Sequence, residues 1–110
     1  MKKVLTVLTA LILFCGTENS AHATELICEL GQRMSIAGDQ SIDNVIHLIW
    51  RGQGYHLQRI GTSSGAHRFE HSDSGLLWIG IPAKGMLLDT KRGTPLANEC
   101  RTAEQQRSRR

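Results

Sequence analysis

Asn44-Val45-Ile46-His47-Leu48-Ile49-Trp50-Arg51-Gly52-Gln53-Gly54-Tyr55-His56-Leu57-Gln58-Arg59-Ile60 is the stretch that decides the fold class. Ile46, Leu48 and Trp50 recur at every second position, which places them on one face of an extended chain whose side chains alternate. A helical stripe would recur every three to four residues instead. Arg51-Gly52-Gln53-Gly54 supplies a tight turn, after which Tyr55 and Leu57 follow on the returning arm. The stretch reads as a hairpin with arms 44–50 and 54–60.

Outward from this hairpin the same period continues. Residues 26–30, 66–71, 76–81, 86–89 and 96–100 read as further short strands, with 34–37 as an extra one. Between them stand Ala37-Gly38-Asp39-Gln40, Thr62-Ser63-Ser64-Gly65, Ser72-Asp73-Ser74-Gly75 and Lys91-Arg92-Gly93-Thr94-Pro95, turn chemistry at intervals too short for helices. The pattern predicts an all-β domain, a small antiparallel barrel of seven or eight strands, because closure removes the exposed sheet edges. Trp50 and Trp78 are assigned to its core. The turn-rich stretch 34–46 leaves open a homodimer through an edge strand.

At the amino terminus, Met1-Lys2-Lys3, an apolar run over 4–14 and Ala21-His22-Ala23 together describe a secretory signal peptide over residues 1–23. The run is shorter than the roughly 20 apolar residues that a membrane-spanning helix needs, and no later stretch approaches that length. Lipidation at Cys15 is the competing reading, but it wants a small residue where Phe14 stands. The mature chain then keeps Cys28 and Cys100, and in an oxidising compartment a single pair has one intramolecular connectivity. A Cys28–Cys100 disulfide closes the domain 24–101. Residues 102–110 are polar and basic, with no apolar side chain larger than Ala103, and are expected to stay unfolded.

The formal net charge of the 110-residue chain is +3, but Lys2 and Lys3 lie in the signal and Arg107, Arg109 and Arg110 in the tail. The folded part has no basic face of the kind that nucleic acid requires. His47, His56, His67 and His71 raise the question of a metal. On a strand, residues four apart such as His67 and His71 stand about 13 Å from each other and cannot share one ion. His47 and His56 lie on opposite arms of the hairpin, with their register open. No Gly-x-Ser-x-Gly elbow or activated nucleophile occurs, so the reading is a non-enzyme without metal or cofactor.

Ser64-Gly65-Ala66, Trp78, Lys84-Gly85 and the closing Cys100 form a series that resembles the C-type lysozyme inhibitors of Gram-negative bacteria, the MliC/PliC family. The resemblance spans residues 28–100 and is specific over 64–100. It implies a small antiparallel β-barrel, a periplasmic location and C-type lysozyme as the partner. It assigns lysozyme binding to Ser64 and Lys84, whose hydroxyl and ammonium would enter the cleft and meet the two catalytic carboxyl groups. Gly65 and Gly85 would shape the loops that carry them, since protruding turns often need positive φ. The chain departs from the family in three places. His67 precedes Arg68-Phe69, Ile79-Gly80-Ile81-Pro82-Ala83 separates Trp78 from Lys84, and Met86-Leu87-Leu88 follows Gly85. An exported barrel that binds a small apolar ligand or another envelope protein is the alternative function.

Overall fold

The computed structural model describes residues 23–61 and 64–108. Eight strands follow one another as β1 (Ala23–Ile27), β2 (Arg33–Ala37), β3 (Val45–Trp50), β4 (Gln53–Ile60), β5 (His67–His71), β6 (Leu76–Gly80), β7 (Gly85–Asp89) and β8 (Thr94–Cys100). Each pairs antiparallel with its neighbours in sequence, giving one eight-stranded meander. The all-β reading holds, the optional strand over 34–37 is real as β2, and strand bounds move by a few residues at most. The largest shift is at β1, which lies earlier than 26–30 because Glu29–Gly31 forms a single 3-10 turn. Residues 1–22, with Cys15 and nearly all of the expected signal peptide, lie outside the described residues.

The central hairpin shows why the alternation dictated its register. Trp50 and Gln53 are the last pair of the ladder, so the turn is only Arg51-Gly52, and both of these residues have positive φ, 51° and 79°. That is the two-residue turn whose twist matches the twist of the strands. Arg51 also lays its guanidinium 4.8 Å from the centre of the Trp50 ring. With this register Ile46, Leu48 and Trp50 point inward together with Leu57, and all four are buried. Phe69, Trp78, Leu87, Ala97, Met34, Ile36 and Leu26 join them from the other strands in one core.

The ends of the meander curl until β1 meets β8, so the sheet is a nearly closed barrel. Among the described residues closure consists of one backbone bridge, Ile27 N–H to Arg101 O at 2.9 Å and Arg101 N–H to Ile27 O at 3.0 Å. Beside it runs the Cys28–Cys100 disulfide, as the cysteine count required.

The tail departs from expectation. Residues 103–108 form a helix, α1 (Ala103–Ser108), instead of an unfolded segment. Thr102 and Gln105 build a capping box, with Gln105 N–H donating to Thr102 Oγ1 at 3.1 Å and Thr102 N–H to Gln105 Oε1 at 2.8 Å. Gln105 Nε2 then donates to Pro82 O at 2.9 Å and ties the helix to the β6–β7 connection.

The disulfide links positions 72 residues apart. A cross-link over a loop of this length stabilises by about 4 kcal/mol on the chain-entropy estimate. Paired Cys28→Ser and Cys100→Ser substitutions are therefore expected to lower the free energy of unfolding by that order, read as the shift of the urea midpoint against the oxidised parent.

Candidate functional site

In a meander every second connection emerges at the same end. The β2–β3 loop (38–44), the β4–β5 loop (61–66) with Ser64, and the β6–β7 loop (81–84) with Lys84 therefore share one end of the barrel. The expected site residues are brought to one end by topology alone.

Two side chains, the half-buried Arg59 and the buried Trp78, hold that end in shape. Arg59 faces inward at the end of β4, where its guanidinium lies 4.6 Å from the centre of the Phe69 ring. Its Nη2 donates to Gln40 O at 2.6 Å and to Asp43 O at 2.7 Å, and Nη1 lies 3.3 Å from His67 Nδ1. A cation with this many acceptors fixes the β2–β3 loop across the barrel end. Trp78 does the same from β6, since its Nε1 donates to Gln40 Oε1 at 2.8 Å while the rest of the indole is buried. Within the loop, Asp39 Oδ1 accepts from the hydroxyl and the amide of Ser41 at 2.6 and 2.9 Å. These hydrogen bonds hold the Asp39 carboxyl below its ordinary range.

Ser64 and Gly65 stand exposed in the β4–β5 loop, and Ala66 N–H reaches Ser64 Oγ at 3.4 Å. Gly65 has φ +84°, the left-handed conformation that its expected role required. Thr62 and Ser63 lie outside the described residues.

Gly85 is a different case. It has no positive φ, and a Cβ built on it would overlap the six-membered ring of Trp78. Close approach of backbone and indole is what makes this position a glycine. The spacing between Trp78 and Lys84 also resolves, because Ile79 and Gly80 belong to β6 and Gly80 pairs with Gly85. The connection itself is the short turn 81–84, closed by Ile81 N–H to Lys84 O at 2.9 Å. Of the five residues between Trp78 and Lys84, Ile79 and Gly80 extend the strand, and Ile81, Pro82 and Ala83 make the turn.

Lys84 has a partner within the chain. Its Nζ lies 2.6 Å from Glu99 Oε2, and Glu99 Oε1 accepts from Arg101 Nη2 at 2.9 Å. A bulge in β8 creates this arrangement, since the pairing passes from Leu87↔Ala97 to Gly85↔Cys100 with one residue more on β8. Glu99 takes φ +55° there and turns its carboxylate toward the Lys84 loop. The lysine ammonium and then the arginine guanidinium hold the Glu99 carboxyl below its ordinary range. Two cations share one anion, which leaves a net positive charge at this corner. Behind it, on the outer face of β6 and β7, Ile79, Ile81 and Met86 line an open apolar groove of about 340 Å³ whose rim includes Lys84 and Glu99.

His47 and His56 pair directly across the hairpin, with ring centres 4.5 Å apart, which settles their register. Among the described residues no group of three or more His, Cys, Asp or Glu side chains gathers as metal ligands, and no helix is long and apolar enough to cross a membrane.

Glu99, Arg59 and Gln40 were not singled out from sequence. Arg59 had a signal, since it shares inward parity with Tyr55 and Leu57 on the same strand. Glu99 had none, because a bulge reverses the parity that precedes it. No protein-family model, curated protein or solved structure matches the chain.

Gly85→Ala is expected to destabilise the fold by about 1–3 kcal/mol, the usual cost of forcing atoms into a packed core. Thermal unfolding followed by tryptophan fluorescence would read this directly, since the displaced group is Trp78. The depressed Glu99 carboxyl makes a second expectation. Its contribution is fully present above the ordinary glutamate range and is lost as pH falls through the lowered folded value. Stability measured from neutral to strongly acidic pH should therefore fall less steeply in Glu99→Gln than in the parent.

Proposed function

We propose that this protein is an exported, periplasmic inhibitor of C-type lysozyme that blocks the enzyme's active-site cleft with the loops carrying Ser64 and Lys84. The observation that carries the reading is the emergence of these two loops at one end of a cross-linked barrel, with Lys84 on a short turn closed by a backbone hydrogen bond. A C-type lysozyme works with one protonated and one ionised carboxyl group facing each other across its cleft. A hydroxyl suits the protonated acid, since it can both donate and accept. An ammonium suits the ionised one. Inhibition of this kind makes and breaks no covalent bond.

The Lys84–Glu99 contact fits into this reading as an exchange. When Lys84 turns to a carboxylate of the enzyme, Glu99 keeps its hydrogen bond to Arg101 and is not left as an uncompensated charge. Affinity would rest mainly on the fit of the loops and on excluded water, with the charge setting orientation. The interior, filled by Trp78, Phe69, Leu48, Leu57 and Leu87, supports a surface that binds protein over a lumen that holds a small ligand.

The test is turnover of peptidoglycan by a C-type lysozyme in the presence of the oxidised protein. Inhibition is expected, with Ser64→Ala and Lys84→Ala each weakening it about tenfold or more. Absence of inhibition by folded, oxidised protein would overturn the proposal. Inhibition indifferent to Lys84→Ala would keep the target and remove the ammonium from its role.

A further inference from the structure

Four imidazoles stand among the described residues, and two of them are engaged elsewhere in the chain. His67 Nδ1 lies 3.3 Å from Arg59 Nη1, and His71 Nδ1 lies 2.7 Å from Ser74 Oγ. His47 and His56 differ from both, because their ring nitrogens have no hydrogen bond or ion pair among the described residues. Each ring instead meets the other, with 4.5 Å between ring centres and an interplanar angle of 42°.

The register of the hairpin produces this contact. The turn Arg51-Gly52 closes on the pair Trp50↔Gln53, and Arg59 N–H donates to Asn44 O at 2.8 Å. The pairs that exchange backbone hydrogen bonds are therefore Trp50 with Gln53, Leu48 with Tyr55, Ile46 with Leu57 and Asn44 with Arg59. His47↔His56 falls between them as a non-hydrogen-bonded pair, the kind in which opposite side chains stand closest. It lies on the outer face, since Ile46, Leu48 and Leu57 take the inward positions. Its neighbours on that face are uncharged: Ala37 opposite His47 on β2, Val45 and Ile49 along β3, Gly54 and Gln58 along β4. No lysine or arginine at these positions repels a cation, and no carboxylate there competes for the rings. Gly54 also makes room, because a Cβ on it would stand 2.8 Å from His47 Nε2. The imidazole of His47 lies over the space that the glycine leaves.

We propose that His47 and His56 together bind a divalent transition-metal ion of the Zn²⁺ and Cu²⁺ class on the outer wall of the barrel. Neutral imidazole is a ligand that these ions favour, whereas Mg²⁺ and Ca²⁺ want oxygen. A tetrahedral ion with bonds of about 2.0 Å holds two nitrogens roughly 3.3 Å apart. Rings with centres 4.5 Å apart reach that separation by rotation about χ2, a soft torsion in histidine, and His56 is exposed with room to turn. Both ligands sit on one hairpin whose turn and register are fixed, so little freedom is lost on binding. The chain supplies two ligands and water completes the shell. Structural zinc sites use four protein ligands and catalytic ones three, so an ion held by two exchanges with solvent and is not needed for folding. The inference stands independently of the lysozyme reading, because it uses neither the Ser64 loop nor the Lys84 loop.

The experiment is a titration of the oxidised protein, produced from the full-length coding sequence, with zinc chloride at about pH 7.5, since only neutral imidazole coordinates. Calorimetry reads the affinity, and nitrogen–proton correlation spectra of the imidazoles read the place. Saturable binding of one Zn²⁺ per chain is expected, with the large shifts at His47 and His56 and not at His67 or His71. His47→Gln and His56→Gln should each raise the dissociation constant about tenfold or more. Because His56 is exposed, His56→Gln keeps the fold, which the thermal unfolding midpoint of the metal-free variant checks. Saturating Zn²⁺ should raise that midpoint in the parent, by binding the folded hairpin in preference to the unfolded chain, and not in His56→Gln. Absence of saturable binding up to millimolar Zn²⁺ overturns the proposal. So does an affinity unchanged in His56→Gln, a set of shifts centred on His67 or His71, or the same response to calcium chloride.

Discussion

The seam between β1 and β8 is the constraint on which the rest of the molecule depends. A meander of eight short strands would by itself leave two open edges and a core exposed along one side. Here a single bridge, Ile27 to Arg101, and a single covalent link, Cys28 to Cys100, turn the sheet into a container. Every inward side chain gains from this closure, since Leu26 and Met34 reach Ala97 and Cys100 in one core only when the ends meet. A domain this small has little burial to spare, and the cross-link supplies through the unfolded state what the core cannot.

From the closed core, constraint passes through Trp78 to the end that carries Ser64 and Lys84. Its ring lies beneath Gly85 and its nitrogen holds Gln40, so one indole positions both the β6–β7 and the β2–β3 connections. Arg59 adds the link between β4 and the β2–β3 loop. The β2–β3 and β6–β7 loops are thus extensions of the core, and their geometry is inherited from packing.

How much of this was legible in the sequence follows from which forces act locally. Ile46, Leu48 and Trp50 announced their strand because alternation is a local property, and the turn chemistry of Arg51-Gly52 fixed the hairpin. The pair Cys28 and Cys100 was legible by counting. Gly65 was read correctly as a left-handed position, whereas Gly85 was read as one and owes its identity to a ring that arrives from β6. The partner of Lys84 was hidden, because only the bulge at Glu99 brings that carboxylate across, and a bulge depends on both strands at once. The α1 helix has a local signal, since Thr102-Ala103-Glu104-Gln105 carries the capping-box pattern, although the polar composition of 102–110 points to an unfolded segment.

Arg59 has one more consequence. Nε and Nη2 bind the main-chain oxygens of Gln40 and Asp43, atoms that every amino acid possesses. Those anchor points are indifferent to the side chains of the loop that they hold. Ser41, Ile42 and Asn44 stand outward on that loop, Ile42 with 73% of its surface in solvent. Ile42 and Asn44 can be exchanged while the path of the chain survives, so this end of the barrel can change its surface chemistry without losing its scaffold.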